Sequence, residues 1–490
     1  MSSALSRISD EALITVDNLV DRAGDLLRPT MRFGVTGLSR AGKTVFITAL
    51  VHNLIHGGRL PLFKAQQSGR IASAYLEPQP DDGVPRFQYE DHVRALVDDR
   101  LWPQSTRAIS ELRLTIEYES ASAWNRLLSS GKLSIDIVDY PGEWLLDLPL
   151  LQQDFAEFSR MAVGLARSPV RADLSREWLE AAAGLDVRAD ADEADARRIS
   201  TLFADYLRSC RSDEKALSTL PPGRFLMPGD LEGSPALTFA PLPDLPEGSS
   251  PSGSLWAMME RRYEAYKSLV VKPFFREHFA RLDRQIILID AMQAMNAGPE
   301  AVQDLERALV DILSCFRPGR GNLLTSLISR RIDRVLIGAT KADHLHQESH
   351  DRLEAIVRRL VARATEKAGY SRANIEVIAM AAVRATRETS AKRGKDTLPL
   401  ITGTPMKGEK IDGKTFNGNT DKRIFPGDLP EDADSFFQQL NSSSHDATPQ
   451  LNFVRFRPPR LERTAEGVTL SLPHIRLDRA FEFLFGDWLA

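Results

Sequence analysis

Residues 37–44 of this 490-residue chain read Gly-Leu-Ser-Arg-Ala-Gly-Lys-Thr. That is a complete G-x-x-x-x-G-K-[ST] string, the pattern of a loop that cradles phosphates. Ahead of it, residues 31–36 are suited to a short strand running into Gly37. Behind it, Val45, Phe46, Ala49, Leu50, Leu54 and Ile55 fall at helical spacing. Strand, loop and helix in that order aim successive backbone N–H groups at one point, at a helix N-terminus that favours negative charge. The expected phosphate contacts come from Gly37, Ser39, Arg40, Ala41, Gly42, Lys43, Thr44 and Val45. Lys43 would reach the β- and γ-phosphates, and Thr44 would place its hydroxyl on Mg²⁺. Ser39 and Arg40 stand where small residues are usual. Arg40 either lends charge to the phosphates or points to solvent, and solvent is the preferred reading.

A phosphate loop does not separate kinases, ATPases and GTPases; two later strings bear on the choice. Asp139-Tyr140-Pro141-Gly142 closes an apolar run at 133–139. An aspartate there can hold the Mg²⁺ shell, and a glycine there lets a backbone N–H approach a γ-phosphate. The same string is also a common turn. Thr340-Lys341-Ala342-Asp343 follows the apolar run Val335–Ala339. It matches an [NT]-K-x-D element in which Asp343 accepts hydrogen bonds from the guanine N–H and amino groups while Lys341 lies along the base. Taken alone, Asp343 could equally cap a helix. Three such strings in this order, each at the C-terminal end of a strand, favour a guanine nucleotide with Mg²⁺, since ligands of open α/β sheets gather at that edge.

The elements that must position these residues can be read coarsely. Residues 109–119 alternate, with Leu112, Leu114, Ile116 and Tyr118 opposite Glu111, Arg113, Thr115 and Glu117, which predicts a half-exposed strand. Strands are also expected at 285–290, 335–339 and 375–379, with helices at 300–316 and 346–368 between them. That alternation predicts a parallel α/β sheet. Helical stretches at 151–210 and 255–281 interrupt it, separated by a Pro- and Gly-punctuated segment. Residues 386–450 read as loops; a strand pair (452–457, 467–472) and a closing helix with Leu477, Ala480, Phe481, Leu484 and Phe485 at core spacing follow. The expected organisation is an amphipathic helix within 1–30, a discontinuous nucleotide domain of 31–150 and 282–385, a helical insertion at 151–281, and a C-terminal segment at 386–490.

Composition sets the outer limits. The chain is 42% apolar and 27% charged with a net charge of −4, an ordinary globular balance with no basic field to draw nucleic acid. Cys210 and Cys315 are far apart and lack metal spacing, which fits a reducing compartment. No apolar run is long enough for a transmembrane helix and no signal pattern opens the chain. A cytoplasmic location is expected. The helix at 9–28 carries five acidic residues on its polar side against Arg22 and Arg28, unlike a membrane-surface helix, so docking on the protein body is expected. His52 and His56, and the group His344, His346 and His350, are read as packing and loop residues rather than metal ligands.

The pattern resembles the Ras-like GTPases. The string from Arg32 to Leu50, Asp-Tyr-Pro-Gly-Glu at 139–143 and Val-Arg-Ala-Thr-Arg-Glu at 383–388 look more narrowly like the YcjX family of bacterial stress-associated P-loop proteins. Trp102-Pro103 and Pro473-His474-Ile475-Arg476-Leu477-Asp478 fit as well, so the resemblance spans nearly the whole chain. It implies a Ras-like P-loop nucleotide domain with a mostly helical insertion and a small C-terminal α+β extension. It also implies GTP/GDP binding, a link to envelope stress, and an inner-membrane partner protein. Carried across, Thr106, or alternatively Ser105, is the threonine sensing Mg²⁺ and γ-phosphate, and Ala381, Ala382 and Val383 occupy the loop over the guanine oxygen. Glu143 stands where many such enzymes align water with a glutamine. Its carboxylate would repel the γ-phosphate, so slow hydrolysis is expected. The catalytic set is then Lys43, Thr106, Gly142 and Glu143, and the metal set Thr44, Thr106 and Asp139. An ATPase or small-molecule kinase, and a nucleotide-regulated scaffold with negligible turnover, are the alternatives.

Overall fold

The computed structural model describes residues 29–38, 40–104, 108–121, 131–212, 221–228, 231–314, 332–368, 374–393, 396–411, 413–441, 451, 453–461 and 471–490. The expected N-terminal helix, Ser39, Ser105, Thr106 and Cys315 lie outside these residues.

The chain begins with β1 (Thr30–Gly37) and α1 (Lys43–Ile55), then adds β2 (Ile71–Glu77), α2 (Tyr89–Val97), β3 (Ser110–Tyr118) and β4 (Lys132–Asp139). After β4 a 3₁₀ segment (Gly142–Gln152) leads into a helical layer: α3 (Phe155–Ala166), α4 (Ala172–Ala183), α5 (Glu193–Ser212) and α6 (Leu255–Tyr266), the last running through a π turn at Lys267–Val271. β5 (Arg284–Ile289), α7 (Ala291–Ala297), α8 (Pro299–Ser314), β6 (Arg334–Ala339), α9 (His350–Ala368) and β7 (Asn374–Ala379) complete the main sheet.

Its order is β2-β3-β4-β1-β5-β6-β7. From β4 to β7 every neighbour is parallel. The expected parallel α/β sheet is thus mostly parallel, with one mixed edge where β2 pairs antiparallel with β3 and β3 antiparallel with β4. The register pairs Glu117 with Lys132, so β4 starts where β3 ends and the chain reverses there without a crossover. The half-exposed reading of β3 is corrected. Its alternation is right, but the strand lies one in from the edge and both faces are largely covered. Glu111 on its polar face is buried and pairs with Arg32 at 2.9 Å, with burial pushing its carboxyl above the usual range.

Two apolar layers sandwich the sheet, as a strand buried on both faces requires. β5 sends Ile286 and Leu288 into one layer and Ile287 and Ile289 into the other. The first layer contains α1 and a closing helix, whose Leu477, Ala480, Phe481, Leu484 and Phe485 are all buried. Phe485 stands edge-on to Phe33 of β1 at 5.2 Å. The second layer is continuous with the aromatic core of the helical layer, from Phe155 and Trp178 to Phe239 and Tyr266.

The reading of 386–450 as loops is corrected. β8 (Arg387–Arg393), β9 (Asp396–Gly403), a hairpin of β10 (Lys410–Ile411) and β11 (Lys414–Thr415), and β12 (Lys422–Ile424) precede α10 (Ala433–Asn441) and the closing helix α11 (Leu477–Phe485). Strands β12, β9 and β8 form a small antiparallel sheet. Ala385, Ile401, Ile424, Val454 and Phe456 make its core. The expected strand pair at 452–457 and 467–472 is not seen among its described residues, where Phe456 makes one isolated bridge with Pro405.

Candidate functional site

Because β1, β4, β5 and β6 run parallel, their C-terminal ends share an edge and bring three distant segments together. Gly37 ends β1 beside Leu288 of β5, and Leu38 N–H donates to the Leu288 carbonyl at 3.1 Å. The loop then turns through left-handed Arg40 (φ 64°) and Gly42 (φ 85°) into α1. Arg40 is exposed and Ala41 buried. The N-cap of α1 is Gly42, and among the described residues no side-chain cap is made there, so the first N–H groups keep the donor capacity that suits an anion. Lys43 stands at the first position with Thr44 buried beside it and Val45 partly buried. The Thr44 hydroxyl donates to the Gln104 carbonyl at 3.4 Å, so the loop before β3 reaches the phosphate loop.

Asp139 is buried at the end of β4, paired in register with Val35 of β1. Tyr140 turns inward and donates its hydroxyl to Gln285 Oε1 at 2.8 Å. A Cβ on Gly142 would lie 2.2 Å from the Gly37 carbonyl, so the turn presses on the phosphate loop with no room for a side chain. The uncapped helix end, the Thr44 hydroxyl, the Asp139 carboxylate and this glycine-only contact form a donor set that fits a nucleoside triphosphate with Mg²⁺.

The helical layer grips the 3₁₀ segment that follows. Arg211, in the last turn of α5, reaches Glu143 Oε1 at 3.3 Å, while Glu143 Oε2 is buried with no hydrogen-bond partner among the described residues. The Arg224 guanidinium lies 3.3 Å over the Trp144 ring. Asp147 accepts from Gly223 N–H at 2.7 Å and from the Tyr266 hydroxyl at 2.6 Å. Burial pushes the Asp147 carboxyl up to about 6, against the opposing pull of the Tyr266 hydroxyl, Gly223 N–H and Arg224. Sequence reasoning missed Arg211, Gln285, Tyr266 and Asp147, which are joined to the motifs only by the fold.

At the other end, Thr340 donates its N–H to the Ile289 carbonyl at 2.9 Å. Lys341 adopts φ 61° and its ammonium pairs with Asp290. Asp343 lies in a 3₁₀ turn (Ala342–His344) well before α9, so the helix-cap alternative is corrected. Its carboxylate is buried and Oδ2 accepts from Ala385 N–H at 2.8 Å. Ala381 exchanges both backbone hydrogen bonds with Ile475 at 3.0 and 2.9 Å, and Arg384 N–H donates to the Pro473 carbonyl. The C-terminal segment thus braces the 381–386 loop, in which Val383 is buried and Ala382 half-buried. His52 meets the Tyr89 hydroxyl at 3.2 Å, and its ring lies 4.4 Å from that of His56, tilted by 44°.

A family model described as "YcjX-like family, DUF463" matches residues 31–489. A protein of Escherichia coli (strain K12) named "Ras-like GTPase YcjX" is 35% identical over 99% of this chain and 100% of its own length. A protein of the same name from Shewanella oneidensis is 32% identical over 97% of this chain and 99% of its own.

Proposed function

The chain belongs to the YcjX-like family, and on that premise we propose that it binds GTP and GDP with Mg²⁺ and hydrolyses GTP slowly as a nucleotide-dependent switch. The observation that carries this reading is the convergence of residues 37–45, 139–143 and 340–343 on one edge of the sheet. In this reading the α1 N-terminus and Lys43 hold the phosphate tail, while Asp343 accepts from the guanine ring. Thr44 and Asp139 would hold Mg²⁺, with Thr106 joining from the segment before β3. Bound there, Mg²⁺ would neutralise charge on the β- and γ-phosphate oxygens. Gly142 would offer its N–H to the γ-phosphate, and Glu143 stands next to it to orient water.

Slow turnover follows from Glu143. Its carboxylate is engaged by Arg211, which balances its charge but also holds it away from free rotation toward a water. A scaffold with negligible turnover is the second reading, and the same ion pair favours it. When the 142–152 segment shifts with nucleotide state, it pulls on Arg211, Gly223, Arg224 and Tyr266, so the helical layer receives the signal. We propose, from the family resemblance alone, that the output is a bacterial envelope-stress response passed on through an inner-membrane partner. Among the described residues no helix is long and apolar enough to cross a membrane.

Single-turnover GTP hydrolysis by wild type, Lys43→Ala and Glu143→Ala tests the reading. Loss in Lys43→Ala is expected, with a smaller change in Glu143→Ala. Equal activity in all three would mean that the site is misassigned, and no hydrolysis by wild type despite tight GTP binding would favour the scaffold.

A further inference from the structure

The stretch from Arg100 to Gln104 is held from two sides. On its inner side the Gln104 carbonyl accepts from the Thr44 hydroxyl at 3.4 Å. On its outer side Trp102 Nε1–H donates to the Phe456 carbonyl at 2.6 Å. Arg100, at φ 53°, donates through Nε and Nη2 to the Pro458 carbonyl at 3.2 and 3.0 Å. Trp102 packs against both the core beneath α1 and the core of the small sheet.

Phe456 also touches the other end of the site. Its ring lies edge-on to His344 at 5.3 Å, one residue after Asp343. It shares the small core with Ala385, whose N–H is bound by the Asp343 carboxylate. The ring is wedged in place, since a Cβ on Gly403 would come within 2.7 Å of it. One residue therefore joins, through its carbonyl and its ring, the segment beside Thr44 and the turn that carries Asp343.

We propose that Trp102 and Phe456 are a positioning pair through which the small sheet couples guanine recognition at Asp343 to Mg²⁺ and γ-phosphate sensing beside Thr44. This rests on the GTP–Mg²⁺ reading of the site. Ordering the turn at Asp343 fixes Phe456, which fixes Trp102 and hence Gln104. Coupling of this kind is reciprocal, so loosening the pair must reduce what each end gains when the other is occupied, while the affinity of either end alone is largely kept.

The test uses the full chain and the affinities of GTP, GDP and ATP, each with Mg²⁺ and with EDTA, beside thermal unfolding. Trp102→Phe keeps the ring and removes the N–H. It is expected to cut the Mg²⁺-dependent gain in GTP affinity at least fivefold, with GDP affinity in EDTA within twofold of wild type. Phe456→Leu is expected to cut the same gain and also to lower the preference for GTP over ATP. A merely structural role would lower the unfolding temperature and weaken all nucleotides alike, leaving those ratios unmoved. Should Phe456→Leu fail to fold, Trp102→Phe and Arg100→Gln decide the matter. Unmoved ratios in folded variants would overturn the coupling while leaving the GTP reading intact. A wild-type chain that fails to prefer GTP over ATP would instead overturn both, and would be visible before any variant is made.

Discussion

The Cα of Gly142 faces the Gly37 carbonyl so closely that an added Cβ would sit 2.2 Å from the oxygen. Gly37 is itself held against β5, where it pairs with Leu288 and the following Leu38 N–H donates to the Leu288 carbonyl at 3.1 Å. The turn after β4 and the phosphate loop therefore move as one contact. Gly142→Ala must displace residues 141–144 or the loop, at a cost of about 1–3 kcal/mol typical of overpacking. The expected outcome is a lower unfolding temperature without nucleotide and a larger loss of affinity for GTP than for GDP, read by calorimetry and equilibrium titration.

Lys43 stands at the first position of α1, half-exposed. Removing its side chain should leave the fold intact, since α1 is anchored by buried Phe46, Ile47, Leu50 and Leu54. Lys43→Ala is expected to lose on the order of 100-fold in GTP affinity, the loss of a charge-assisted contact worth about 1.5–3 kcal/mol. Circular dichroism and titration on the same sample check both halves.

Asp147 supplies a pH dependence whose sign can be worked out. Its carboxyl titrates near 6 in the folded chain, against an ordinary 3.8. Between those values the folded state holds more protons than the unfolded one, so this group's contribution to stability falls as pH rises and is lowest above about pH 6. A neutral Asp147 can donate to the Tyr266 oxygen and accept from Gly223 N–H, and asparagine reproduces that pattern. Asp147→Asn is expected to match wild type near pH 4 and exceed it by about 1–3 kcal/mol at pH 7, the shift converted at roughly 1.4 kcal/mol per pH unit. Denaturant unfolding across that range is the measurement; a constant difference would count against the assignment.

The Arg211–Glu143 pair ties the helical layer to the residue proposed to orient water. Arg211→Ala leaves a buried carboxylate without its counter-charge, so a stability loss of about 1–3 kcal/mol is expected. Single-turnover hydrolysis should change in the same variant. If the rate is unaltered in a folded Arg211→Ala, Glu143 does not act on the reacting water.

The three motifs were legible because each is a short local string whose chemistry depends on neighbours in sequence. The parallel strands behind them were legible as apolar runs such as 285–290. The edge strand β2 was not, because its half-exposed Ile71–Glu77 carries no clean alternation. The small sheet was hidden for a similar reason. Strand β8 reads Arg-Glu-Thr-Ser-Ala-Lys-Arg, with Ala391 as its only apolar residue. The burial of Glu111 could not be read from periodicity, which assigns faces but not what covers them. The groups that brace the site, Gln285, Asp147, Arg211 and Ile475, act across long sequence separations, and only the fold relates them to the motifs.

Base choice is the most direct test. Equilibrium affinities of GTP and ATP with Mg²⁺ should be measured for wild type, Asp343→Ala and Asp343→Asn. Wild type is expected to prefer GTP by at least 100-fold, and Asp343→Ala to lose most of that preference by weakening GTP alone. Asp343→Asn keeps an acceptor for Ala385 N–H, which separates loss of base recognition from loss of the brace at 2.8 Å. Equal binding of ATP and GTP by wild type, or a preference untouched by either substitution, would contradict guanine recognition at this site.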